Sequence, residues 1–124
     1  MALGMKKKNE NKASHFTKDD QKKILCQASP FVVKEAYSSI RTNLLFSQQG
    51  DECPVFVVTS PTANNGKSIN SVNMAVSFAQ MGKKTLLIDS DMRNPTLHRL
   101  FSIPVKNGLS EILAGLTDSI TVSK

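Results

Sequence analysis

The apolar run Val55-Phe56-Val57-Val58-Thr59 passes through a turn-forming stretch directly into Gly66-Lys67-Ser68. This order restricts the fold more than any other feature of the chain. A continuous run rich in β-branched residues suits a strand of a parallel sheet that is covered on both faces. After the turn, residues 67–82 put Ile69, Val72, Val76 and Ala79 on one helical stripe, widened by Met74, Ala75 and Phe78, and stop at Gly82. Residues 83–95, KKTLLIDSDMRNP, then read as a second buried strand whose acidic end carries Asp89 and Asp91. Strand, helix, strand is a βαβ unit, and its crossover is expected to be right-handed. The fold class expected is therefore α/β with parallel strands.

Upstream of this unit, residues 29–47 predict an amphipathic helix. Ser29 can cap it, Pro30 suits its first turn, and Val33, Ala36, Ile40, Leu44 and Leu45 recur at three- and four-residue spacing. Gly50 and Pro54 mark the loop that follows. Downstream, TLHRLF predicts a short helical turn, and GLSEILAGL a further helix with Leu109, Ile112 and Leu113 inward. With 124 residues, 40% of them hydrophobic, the chain can bury one core and should form one domain.

The first 28 residues are polar and lysine-rich, without hydrophobic period, and predict a solvated tail, leaving residues 29–124 for the domain. The net charge of +6 is concentrated there, because residues 1–34 hold eight lysines against Glu10, Asp19 and Asp20. A basic arm without interleaved aromatics gives little support to nucleic-acid binding. Its binding alternative is an anionic membrane surface or an acidic partner. No apolar run approaches the roughly 18 residues of a spanning helix, and no signal peptide follows the first lysines, so a cytoplasmic location is expected. Cys26 and Cys53 lack metal-ligand spacing and are expected as reduced thiols.

The turn before the second helix carries the chemistry. In the phosphate-loop pattern G-x-x-x-x-G-K-[ST], backbone amides wrap the phosphates, the lysine reaches the terminal ones and the hydroxyl binds magnesium. Gly66, Lys67 and Ser68 fill its last three positions, and Pro61 stands in the first. Asn64 and Asn65 tolerate positive φ, so the loop can still turn tightly before the helix. The alternative is an ordinary strand-to-helix turn with an exposed Lys67. Asp89 and Asp91 favour the phosphate reading, since ligands sit at the carboxyl ends of strands in open α/β sheets and a hard cation beside phosphate wants carboxylates and hydroxyls. Both aspartates are expected to reach the site only if the strand ends near Asp89. Solvated charges paired with Arg93 are the alternative for them.

Taken together, EAYSSIRTNLLFS, VTSPTANNGKS, TLLIDSDMRNPTLHRLF and NGLSEILAG resemble, in order and spacing, the bacterial protein-tyrosine kinases (BY-kinases) of capsular and exopolysaccharide synthesis, relatives of the deviant-loop partitioning ATPases. The resemblance covers residues 29–116. It implies a P-loop NTPase-like fold, with ATP cradled by Thr62, Ala63, Asn64, Asn65, Gly66, Lys67, Ser68 and Ile69. It also implies Mg2+ held by Ser68, Asp89 and Asp91, and a catalytic set of Lys67, Asp89 and Asp91 that transfers phosphate to a tyrosine hydroxyl. Pro61 is then a family trait. Glu35 and Arg41 match a Glu-x-x-Arg-x-x-Arg self-association motif whose middle arginine is Ser38 here. The implied partners are copies of the same chain and a membrane activator of polysaccharide export, with recruitment to the inner face of the membrane.

The chain departs from that pattern in places. Ala63-Asn64-Asn65 replaces the family's Pro-Gly-Glu, and Tyr37, the only tyrosine, is expected to pack rather than accept phosphate. The family's Walker B strand and its tyrosine cluster are expected beyond Lys124, so the chain corresponds to the first half of the family's domain. Two other readings are a partitioning-type ATPase, against which Thr62 stands where that class has a second lysine, and a non-catalytic fragment that binds partners.

Overall fold

The computed structural model describes residues 18–48, 50, 53–105 and 107–118. The expected tail up to residue 17, with Lys6, Lys7, Lys8 and Lys12, lies outside the described residues. Regular structure among the described residues consists of α1 (Lys18–Gln21), α2 (Phe31–Ser47), α3 (Lys67–Gln80), α4 (Leu97–Leu100) and α5 (Leu109–Leu113).

The core gathers on α3. Val72 and Phe78 are buried there together with Leu25 and Leu100 from other segments. The expected stripe is largely realised, with Ile69, Met74, Ala75 and Val76 half-buried, although Ala79 is exposed. Two polar residues, Asn73 and Ser77, are only 2% exposed. The Asn73 carboxamide donates to the Lys23 carbonyl at 3.0 Å and to the Tyr37 hydroxyl at 3.2 Å, and accepts the Leu25 amide at 2.7 Å. Ser77 receives the Arg41 guanidinium, which donates to its carbonyl at 2.7 Å and its hydroxyl at 3.0 Å. Gly82 closes the helix at φ 82°, with its amide on Ala79 and that of Lys83 on Phe78. This is the Schellman arrangement, for which a residue without Cβ is best suited.

α2 forms where the period predicts it, but with a different cap and a different inner face. The Ser29 hydroxyl accepts the Cys26 amide at 2.9 Å and so serves the preceding turn, and Pro30 holds the cap position. Tyr37, Ser38, Arg41 and Leu44 are half-buried, whereas Val33, Ala36 and Ile40 of the expected stripe are exposed, as are Phe31, Val32 and Phe46. The roll of the helix follows its polar anchors: Tyr37 and Arg41 each find hydrogen-bond partners on α3, and those outweigh a short apolar period. In α5, Leu109 and Ile112 are half-buried as expected and Leu113 is exposed.

Residues 18–28, assigned to the tail by composition, are laid against α3 and α4. Gln21 donates to the Leu100 carbonyl at 3.0 Å and the Ser102 hydroxyl at 3.2 Å, and Leu25 enters the core. Ile24 and Leu25 are too short an apolar run to show a period, which is why composition hides them.

No strand forms among the described residues. Residues 54–60 and 83–90 exchange no backbone hydrogen bond with each other. Their side chains nevertheless alternate over residues 54–57 and 86–90, so the expected cover on both faces is not found. Val55 and Val57 are 81% and 87% exposed, while Phe56 between them stacks on Phe78 with ring centroids 5.7 Å apart. Leu86 and Ile88 are likewise exposed, with Leu87 and Asp89 half-buried. A period of two is that of an extended chain with one covered face. Both cysteines are free thiols, and none of the described helices is long and apolar enough to cross a membrane.

Replacing Asn73 by Ala strands the Leu25 amide in the interior and removes two further hydrogen bonds. A loss of about 2–3 kcal/mol in urea unfolding is expected, against about 0.5 kcal/mol or less for Ala79→Ser on the exposed side of the same helix.

Candidate functional site

Residues 60–66 enter α3 through a turn that needs two left-handed positions. Asn64 has φ 62° and Gly66 φ 76°, while Asn65 is not left-handed. A Cβ on Gly66 would lie 3.2 Å from the Asn70 side-chain nitrogen, which donates to the Gly66 carbonyl at 3.0 Å. The backbone angle favours glycine at position 66, and a side chain there would also press on Asn70. Inside the turn, the Asn65 side chain donates to the Thr62 hydroxyl and Ser60 to the Thr62 carbonyl. No side chain caps α3. The amides of its first turn lack intrahelical acceptors, and together with the helix dipole they favour an anion at this end.

The loop, the start of α3 and residues 91–96 border an open cavity of about 570 Å³. Of the residues expected to hold nucleotide, Thr62, Ala63, Asn64, Gly66, Lys67, Ser68 and Ile69 line it, and Asn65 braces the loop from outside the lining. Lys67 Nζ lies 3.2 Å from Asp91 Oδ2, with each side chain about one-third exposed (34% and 36%). A partly solvated pair of this kind contributes about 1 kcal/mol at most, so a better anion can displace it. Asp91 pairs with Lys67 here, and no ion pair between Asp91 and Arg93 is found among the described residues.

The two aspartates do different things. Asp91 Oδ1 accepts the Asn94 amide at 3.1 Å. That amide first, and the Lys67 ammonium second, hold its carboxyl below the ordinary value of 3.8. Asp89 Oδ2 accepts the amides of Thr96 and Leu97 at 2.8 and 3.0 Å, and its Oδ1 that of Asp91 at 3.1 Å. Asp89 thus fixes the course of residues 89–97 and does not line the cavity. The expectation that the strand must end near Asp89 is corrected: residues two apart share a face of an extended chain, and both aspartates are half-buried with exposed Ser90 between them.

Thr96 was not foreseen as a site residue. It is buried, and its hydroxyl donates to Ser68 Oγ at 2.9 Å, joining the Asp89 loop to the start of α3. Its position after Pro95, at a predicted helix start, is the signal that could have found it. Asp20 and Lys23 also line the cavity, and nothing in a run of lysines marks them. Glu35 and Arg41 lie away from it: Glu35 is exposed on α2, and Arg41 is directed at Ser77. No cluster of three or more acidic, histidine or cysteine side chains that could hold a metal is found among the described residues. Ser68 and Asp91 nonetheless fit Mg2+, which is commonly bound through one or two carboxylates together with substrate phosphates.

The chain is similar to tyrosine-protein kinase YwqD of Bacillus subtilis, with 38% identity over 94 residues, covering 75% of this chain and 40% of that protein. Tyrosine-protein kinase CpsD of Streptococcus pneumoniae is 44% identical over 86 residues, 68% of this chain and 37% of CpsD. Tyrosine-protein kinase etk of Escherichia coli is 38% identical over 81 residues, 65% of this chain and 11% of etk. The chain thus spans less than half the length of these relatives. No family model and no solved structure matches it.

Because folding lowers the Asp91 pKa, this carboxylate's contribution to stability is complete above its unfolded value and fades as pH falls through the lower folded one. The stability difference between the native chain and Asp91→Asn is expected to be flat near neutral pH and to shrink below about pH 4. Urea unfolding across the acid range measures it.

Proposed function

As a member of the bacterial tyrosine-protein kinase family through the segment it shares with these relatives, the chain carries, we propose, the nucleotide-binding part of an ATP-dependent protein-tyrosine kinase that acts in capsular or exopolysaccharide synthesis and export. The observation that carries this reading is the meeting of Lys67, Ser68 and Asp91 in one cavity behind a left-handed Gly66. Residues 54–60 and 83–90 are the strands of its parallel sheet in this reading, and the alternating exposure over 54–57 and 86–90 fits their extended conformation.

In this reading Lys67 leaves Asp91 for the terminal phosphates of ATP, and the amides at the start of α3 orient them. Magnesium, where bound, would be held by Ser68 and the phosphates beside Asp91 and would supply charge neutralisation. The phosphoryl group leaves ADP and bonds to a tyrosine oxygen, whose proton passes to Asp91. A lowered pKa makes Asp91 a weak base, which suffices where transfer is loose and positioning dominates the barrier. Asp89, already engaged with three amides, positions the loop and touches no reactant.

The chain works at the cytoplasmic face of the membrane with an activator of polysaccharide export and assembles with copies of itself. The outer face of α2, with Glu35, Phe31 and Val32 exposed, is the surface available for that assembly. Arg41 supports it from within through Ser77. A second reading, a nucleotide-binding fragment without transferase activity, is favoured by the complete engagement of Asp89 with backbone amides.

Magnesium-ADP at about 100 times its dissociation constant should stabilise the chain by about 2.7 kcal/mol, several degrees in thermal midpoint, and Lys67→Met should abolish the shift. With ATP and a tyrosine peptide, the native chain should form phosphotyrosine and Lys67→Met none. Binding without transfer selects the second reading, and absence of binding overturns both.

A further inference from the structure

One wall of the cavity comes from a segment that no part of the kinase reading uses. Asp20 and Lys23 line the same space as Lys67, Ser68 and Asp91. The backbone there is fixed to the helix that carries the phosphate loop: the buried Asn73 of α3 donates to the Lys23 carbonyl at 3.0 Å and accepts the Leu25 amide at 2.7 Å. The Lys23 side chain remains 62% exposed, with Nζ 2.7 Å from Asp20 Oδ1. Its neighbour Lys22 pairs with Asp19 and does not line the cavity.

The charges of the cavity wall cancel in pairs, Lys67 with Asp91 and Lys23 with Asp20. A polyphosphate brings several negative charges, more than Lys67 alone can offset. Both ion pairs are partly solvated and therefore weak, whereas phosphate oxygens take charge-assisted hydrogen bonds well. A lysine suits such an exchange, being a compact charge on a flexible four-carbon stem that can swing between acceptors while its backbone stays in place.

We propose that Lys23 is a second phosphate-binding side chain of this site, held by Asp20 until a nucleoside polyphosphate enters and then transferred to its phosphates. The proposal rests on the nucleotide-site reading above. It gives the segment before α2 a binding role, and it makes Asp20 a competitor of the ligand.

Titration calorimetry of the full chain with magnesium-ATP tests it, using Lys23→Met, which keeps most of the stem, and Lys22→Met, which makes the same change of charge one residue away. Lys23→Met should weaken binding about five- to tenfold, Lys22→Met should stay within about twofold of the native chain, and Asp20→Asn should tighten binding about two- to threefold. Thermal unfolding verifies the fold of each variant, and Lys23→Gln is read in place of Lys23→Met should the latter fail to fold. Native binding with Lys23→Met indistinguishable from Lys22→Met overturns the role of Lys23 alone. A native chain that binds no ATP overturns the nucleotide site and this proposal together.

Discussion

Asn73 donates two hydrogen bonds and accepts one at the place where the segment before α2, α2 itself and α3 meet. A carboxamide can do this because it offers donors and an acceptor from one flat group, and burial raises the cost of leaving any of them unmet. From Asn73 the connection continues through the Tyr37 hydroxyl, which donates to Asn70 at 2.8 Å, to the Asn70 side chain and the Gly66 carbonyl. The loop at residues 60–66 is therefore braced from α2 across the surface of α3. With only four buried apolar side chains described in the core, directional bonds of this kind decide how the segments are oriented.

The cavity shows the same dependence on polar geometry. Asp89 forms no ion pair with Lys67 among the described residues and instead gathers three amides, setting Thr96 where its hydroxyl meets Ser68. Asp91, two residues on and on the same face, is left to the lysine. One short acidic motif thus supplies two different carboxylates: Asp89 accepts from three backbone amides, whereas Asp91 accepts from one and from the Lys67 ammonium.

Much of this site was legible in the sequence. Gly66-Lys67-Ser68 after an apolar run signals the loop because its chemistry needs local residue types at fixed spacing, and the helix that follows shows its period over fourteen residues, Lys67–Gln80. What stayed hidden depends on distant partners. Arg41 and Tyr37 set the roll of α2 through bonds to residues more than thirty positions away, so the stripe containing Val33 and Ile40 gave the wrong inner face. Ser29 was a plausible cap for α2 until the Cys26 amide claimed its hydroxyl. Asp20 and Lys23 carry no local mark at all, since what places them is Asn73.

The bonds that set the cavity's outer wall are also among the longest in sequence: Leu25 to Asn73 spans 48 residues and Gln21 to Leu100 spans 79. The entropy of closing a loop grows with its length, and helices close over three or four residues. Residues 20–23 are consequently fixed only after α3 has formed beneath them. The loop at residues 60–66 can take shape before then, but with one side still open to water.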